Sequence, residues 1–228
     1  MKKFIISFVL STIQIVVLAQ SVNVHFKNGQ SISYPSGIVE YIDFSAKEAD
    51  PSVTEGEEID LGLSVNWASC NLGSISPEEY GYYYSWGETA PKELYLPSNY
   101  TFYDNDTQQY INIGDDISGT EYDAATVNLG NGWRMPTNNE MNELIQKCKW
   151  EWSQINGING YLVTGSNGNS IFLPASEIGQ EGSVLAYWTS TKSSELIVYT
   201  LNASSSGIGD EWPAMRYYGE SIRPVKSK

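Results

Sequence analysis

The chain has 228 residues, with 13 basic against 27 acidic side chains and a formal charge of −14. An acidic protein of this kind is repelled by phosphate backbones and anionic lipid, which excludes nucleic acid as a partner. The only histidine is His25, so His-dependent triads and multi-His metal centres lack their parts; no metal and no cofactor are expected.

Residues 1–19 read as a secretory signal peptide. Lys2 and Lys3 precede an apolar run over 4–18, and Val17-Leu18-Ala19 supplies a cleavage pattern before Gln20. The run is shorter than the ~20 residues of a membrane span and carries Ser11, Thr12 and Gln14, so no span is expected after signal removal. No Cys follows it to carry a lipid. Without Lys2 and Lys3, 11 basic residues face 27 acidic ones, a formal charge of about −16. This predicts a soluble exported protein: periplasmic, cell-surface or secreted.

Residues 20–45 alternate as a small β-meander. Val22, Val24 and Phe26 point one way, Asn28-Gly29 reverses the chain, Ile32 and Tyr34 return it, and a third run covers 38–44. Residues 46–58 are polar and acidic and read as a linker. The main domain, 59–228, opens with a strand over 59–68 in which Leu61, Leu63, Val65 and Trp67 share a face. A second strand is predicted over 80–88, with Tyr82, Tyr84 and Trp86 on one side. That stripe has two readings, a sugar platform or the core face of a strand.

Residues 90–121 predict a long loop excursion. Asp104, Asp106, Asp115 and Asp116 lie in it, without the spacing of an EF-hand loop. A short helix over 123–129 ends at Gly130. A second helix follows the run Gly132-Trp133-Arg134-Met135-Pro136-Thr137. Pro136 bars helix before it, Thr137 can cap the free amides, and Glu140 can complete a capping box. Met141, Leu144, Ile145 and Cys148 then form one apolar stripe. Arg134 is expected to tie loop groups to the entrance of this helix.

Short strands separated by Gly, Asn and Ser turns occupy the rest: 150–152, 161–164, 171–174, 186–191, 196–201, 215–218 and 221–225. The fold class is therefore α+β, with short, mostly antiparallel strands and two helices. Cys70 and Cys148 are assigned to a disulfide, whose loop of about 78 residues makes it worth up to ~4 kcal/mol. Two buried free thiols are the alternative.

Five blocks resemble a known family. They are Asp60-Leu61-Gly62-Leu63-Ser64-Val65-Asn66-Trp67-Ala68-Ser69-Cys70-Asn71-Leu72-Gly73, Gly81-Tyr82-Tyr83-Tyr84-Ser85-Trp86-Gly87-Glu88, Gly132-Trp133-Arg134-Met135-Pro136-Thr137, Tyr187-Trp188-Thr189-Ser190-Thr191 and Ser221-Ile222-Arg223-Pro224-Val225. In this order they resemble the Fibrobacter succinogenes major paralogous domain of exported proteins from Bacteroides-like bacteria. The resemblance implies a C-type-lectin-like fold, shared with formylglycine-generating enzymes and with retroelement-diversified binding domains. The oxidase relatives need a late Cys pair, absent after Cys148. Calcium lectins use Glu-Pro-Asn or Gln-Pro-Asp with Trp-Asn-Asp, and none of these occurs here.

The diversified relatives display ligand-contacting side chains between the matching Trp188 and Val225. On that basis Glu195, Tyr199, Asn202, Ser205, Asp210, Trp212 and Arg216 are the candidate ligand contacts, a polar and aromatic set suited to an adaptable binding surface. The expected function is a non-enzymatic binding module for a protein or glycan ligand. Two alternatives stand beside it. One is a structural subunit of the cell envelope, joined through an open edge of the meander. The other is a glycan-active enzyme using Glu78 or Glu88 with Asp210.

Overall fold

The computed structural model describes residues 21–25, 31–35, 57–209 and 214–228. The signal segment, the third run of the meander, most of the linker, and Asp210 and Trp212 lie outside the described residues. Among those described, no helix is long and apolar enough to cross a membrane. The chain divides into two compact units, 1–47 and 48–228. In the first, β1 (Ser21–His25) pairs antiparallel with β2 (Ser31–Pro35), with Val24 opposite Ile32 as the alternation requires.

The second unit is α+β, built from small antiparallel sheets and two helices. Its first strand is divided into β3 (Glu58–Ile59) and β4 (Val65–Ala68). The Asp60 carboxylate accepts the Gly62 amide at 2.7 Å, a local side-chain turn that competes with a continuous ladder. The alternation survives the break, because Leu61, Leu63, Val65 and Trp67 are all buried. β15 (Val225–Ser227) lies between β4 and β7 (Trp133–Arg134), with Val225 opposite both Trp67 and Arg134.

Residues 80–88 do not form the predicted strand, and the Glu88 amide closes a turn onto the Ser85 carbonyl. Gly81 and Gly87 have φ of 72° and 88°, and the only ladder contact is an isolated bridge from Tyr84 to Glu220. Tyr84 and Trp86 enter the core, whereas Tyr82 is 55% exposed, so the three rings do not make one platform. The excursion that follows carries a 3-10 turn at Pro97–Asn99 and a two-residue-per-strand hairpin, β5 (Tyr103–Asp104) with β6 (Gln109–Tyr110).

Helix α1 (Ala124–Leu129) starts at Asp123, whose buried carboxylate accepts amides from Ala125 and Thr126 and also from Gly119 and Met135. Helix α2 (Asn138–Lys147) has the predicted capping box, with Thr137 Oγ1 accepting the Glu140 amide and Glu140 returning to the Thr137 amide at 2.8 Å. Arg134 forks onto the Glu140 carboxylate at 2.8 and 2.5 Å, the tie expected at this helix entrance. After α2, β8 (Lys149–Ile155), β9 (Ile158–Thr164) and β10 (Ser170–Pro174) form a meander. Its first reversal uses Asn156 and Gly157, both at positive φ, as a two-residue hairpin requires.

β11 (Val184–Lys192) and β12 (Ile197–Ser204) form a hairpin extended by β13 (Gly207–Ile208) and β14 (Ala214–Met215). Alternate residues of this hairpin feed two separate cores. Leu185, Tyr187, Leu201 and Ala203 pack with Trp67, Met141 and Leu144. Trp188 and Val198 pack with Trp86, Ile117 and Met135. A sheet buried on both faces explains the unbroken burial of β11 from Leu185 to Ser190.

The disulfide expected between Cys70 and Cys148 is not formed; both thiols are free. Cys70 is buried with its Sγ 3.5 Å from Ser69 Oγ, while Cys148 ends α2 against the first core. Burial raises the pKa of each thiol, so each behaves as a small protonated hydrophobe.

Candidate functional site

The predicted ligand residues that the structure describes do not form one patch. Tyr199 and Asn202 are an odd number of positions apart on β12 and so point to opposite faces. Glu195 precedes β12 and Ser205 follows it, which separates them by roughly 30 Å of extended chain. Tyr199 is half-buried, with its carbonyl accepting the Thr189 hydroxyl. Asn202 donates to Thr200 Oγ1 at 2.6 Å and borders a shallow hollow of about 500 Å³ with Glu177, Gln180 and Ser206. Ser205 is exposed in the turn beyond it.

Arg216 is corrected from ligand contact to internal tie. It is fully buried, because its guanidinium is enclosed by aromatic rings: Cζ lies 4.9 Å from the Trp86 centroid, 5.4 Å from Tyr110 and 5.7 Å from Tyr100. Its nitrogens donate to the Tyr100 hydroxyl at 3.2 Å, the Glu195 carbonyl at 3.4 Å and the Ile111 carbonyl at 3.0 Å. Its amide donates to the Leu196 carbonyl, and its own carbonyl accepts the Trp86 amide. One cation therefore joins the excursion, the turn before β12 and the segment after β14. Desolvation of the charge is offset by ring faces and oriented carbonyls, not by a carboxylate.

Above this buried tie lies an exposed surface. Ile111 is 48% exposed, Leu196 46% and Tyr218 44%, and each belongs to, or lies two residues from, a residue that Arg216 holds or is. Tyr103 and Tyr110 meet edge to face at 5.0 Å, and Tyr217 and Tyr218 do so at 4.9 Å. Partial burial raises the Tyr110 pKa; the neighbouring Tyr103 and Tyr218 hydroxyls act in the same direction, and Arg216 opposes them. The two ring pairs thus share one neighbourhood, with Glu195 at its margin. Glu195 was among the contacts expected from the sequence and the four tyrosines were not, although two of them adjoin Arg216 in sequence.

Of the carboxylates of the enzyme alternative, Asp210 lies outside the described residues, and Glu78 and Glu88 sit in scaffold contacts. Glu88 pairs with Lys92 at 2.6 Å and accepts from the Thr101 amide and hydroxyl, beside a hollow of about 460 Å³ lined by Phe102 and Tyr122. Glu78 is buried and accepts from Asn156 at 2.8 Å. Among the described residues, no group of three or more His, Cys, Asp or Glu side chains is arranged to hold a metal ion. Comparison with family models, with curated proteins and with solved structures finds no match to this chain.

Proposed function

We propose that this protein is an exported, non-enzymatic binding module of C-type-lectin-like fold, a member of the major paralogous domain family, presenting a strand-and-loop surface to a protein or glycan ligand. The observation that carries the reading is the exposure of Ile111, Leu196 and Tyr218 around segments held by buried Arg216. Large apolar side chains grouped at one place on a surface mark an interaction site, and a tyrosine-rich surface on a rigid base binds with little ordering cost. The fold assignment is supported by the meeting of three of the five motif blocks in the β4-β15-β7 sheet.

A glycan array and a panel of host and bacterial surface proteins, probed with the full chain, test the reading. The Tyr218→Ala, Leu196→Ser double variant is expected to lose at least ~2 kcal/mol of binding to whatever the wild type retains, as truncation of an interface anchor does. Unchanged binding by the folded variant would move the site away from this surface.

A further inference from the structure

We propose that the tyrosine surface receives an arginine side chain from a basic segment of a partner protein. The proposal rests on the binding-surface reading above and narrows its ligand class. Arg216 demonstrates locally what these rings accommodate: a guanidinium between 4.9 and 5.7 Å from three aromatic centroids. The aromatic array does not stop there. Tyr110, which contacts Arg216 from one side of the array, meets Tyr103, and the Tyr217 and Tyr218 pair lies within its electrostatic reach. An edge-to-face pair uses one ring face of its four, so each pair retains faces on which a further cation can stack.

The border of this array is anionic in a specific way. Lys192 pairs with Asp115 at 3.0 Å and with Glu195 at 2.9 Å, but its side chain is 6% exposed whereas theirs are 91% and 63% exposed. The triplet hides its cation and presents both carboxylates to solvent. In the β5-β6 hairpin Asp104 follows Tyr103 directly, and Asp106 lies in the same turn. The other cations nearby are committed: Arg216 is buried, and Lys92 is paired with Glu88. Negative ring faces with solvent-facing carboxylates nearby favour a cation over a neutral sugar or an acidic peptide. A planar guanidinium, which stacks and also forks onto carboxylates, fits better than an ammonium.

Fluorescence anisotropy with the full chain and a labelled peptide of alternating glycine and arginine tests this, beside lysine and citrulline versions of the same peptide. The arginine peptide is expected to bind. The citrulline peptide, and the Tyr103→Ala, Tyr218→Ala double variant that leaves every charge in place, are each expected to bind roughly tenfold more weakly. Tyr218→Phe, which keeps the ring, is expected to bind as wild type does, and Glu195→Gln to bind severalfold less at low salt. Arginine-peptide binding that the ring substitutions leave unchanged would be diffuse attraction to an acidic protein and would overturn the proposal. Equal binding of the lysine peptide would overturn the preference for guanidinium. Failure of the arginine peptide while a glycan or surface protein still binds through Tyr218 would overturn this inference alone. If no ligand at all binds through Tyr218, the underlying surface reading falls with it.

Discussion

Arg223 and Glu220 stand three positions apart, both buried, and are solvated in opposite ways. Arg223 donates to Asn71 Oδ1 and to the carbonyls of Ala68, Ser69 and Phe172 at 2.7 to 3.0 Å, so its charge is met on every side. Glu220 Oε2 has no hydrogen-bond partner; burial pushes the carboxyl up to about 8, and the nearby Glu177 carboxylate pushes in the same direction. Glu220 is therefore protonated in the fold at neutral pH but ionised in the unfolded chain. Folding stability from this group is complete below about pH 4.5 and is lost as pH rises towards about 8, at up to ~1.4 kcal/mol per pH unit. Glu220→Gln is expected to abolish that decline in urea denaturation over this window and to exceed wild type at its alkaline end. A flat wild-type profile would mean that the carboxyl is solvated. None of this was legible in the sequence, where a lone charged residue reads as surface. Arg216 was misplaced for the same reason, since its partners Tyr100 and Ile111 are 116 and 105 positions away.

The elements divide by how local their causes are. Helix α2 was readable to its first residue because Pro136, Thr137 and Glu140 carry the start signal within five positions. The strands that became β8 and β9 were readable with a turn between them, and Asn156 and Gly157 make that turn. The strand expected over 80–88 failed because alternation cannot show whether a neighbouring strand exists to pair with it. The candidate contacts on β12 scatter for another reason: Val198 and Leu201 each meet a different core, and Tyr199 and Asn202 stay partly buried on opposite faces. The helix start also gives a measurable ranking. Thr137→Ala is expected to cost about 1 kcal/mol, as loss of an N-cap does. Glu140→Ala is expected to cost about 2 to 3 kcal/mol, because it removes the return bond and leaves the Arg134 fork without its carboxylate. Equal losses in urea denaturation would show that Ser118 and the Met135 carbonyl suffice for Arg134.

At the scale of the whole unit over 48–228, the class α+β was legible, but the arrangement of two cores about one hairpin was not. That arrangement makes the cores interdependent, because removing side chains from either face of β11 and β12 loosens the strands that the other needs. Leu201→Ala on one face is expected to cost about 2 to 5 kcal/mol. Trp188→Ala on the other is expected to lower the same single transition, followed by tryptophan fluorescence and circular dichroism together. Two separable transitions would show that each core holds without its neighbour.

The placement of β15 between β4 and β7 has a consequence in time. Lys226 meets Glu58 across 168 positions of sequence, and β15, an inner strand of that sheet, is synthesised after every other described strand. Until it emerges from the ribosome, β4 and β7 have edges with nothing between them, and the closure entropy of nearly the whole domain is still unpaid. A nascent chain of this protein therefore cannot be completed piecemeal from its N-terminal side. Whatever guards this unit during synthesis must keep hold until β15 is out.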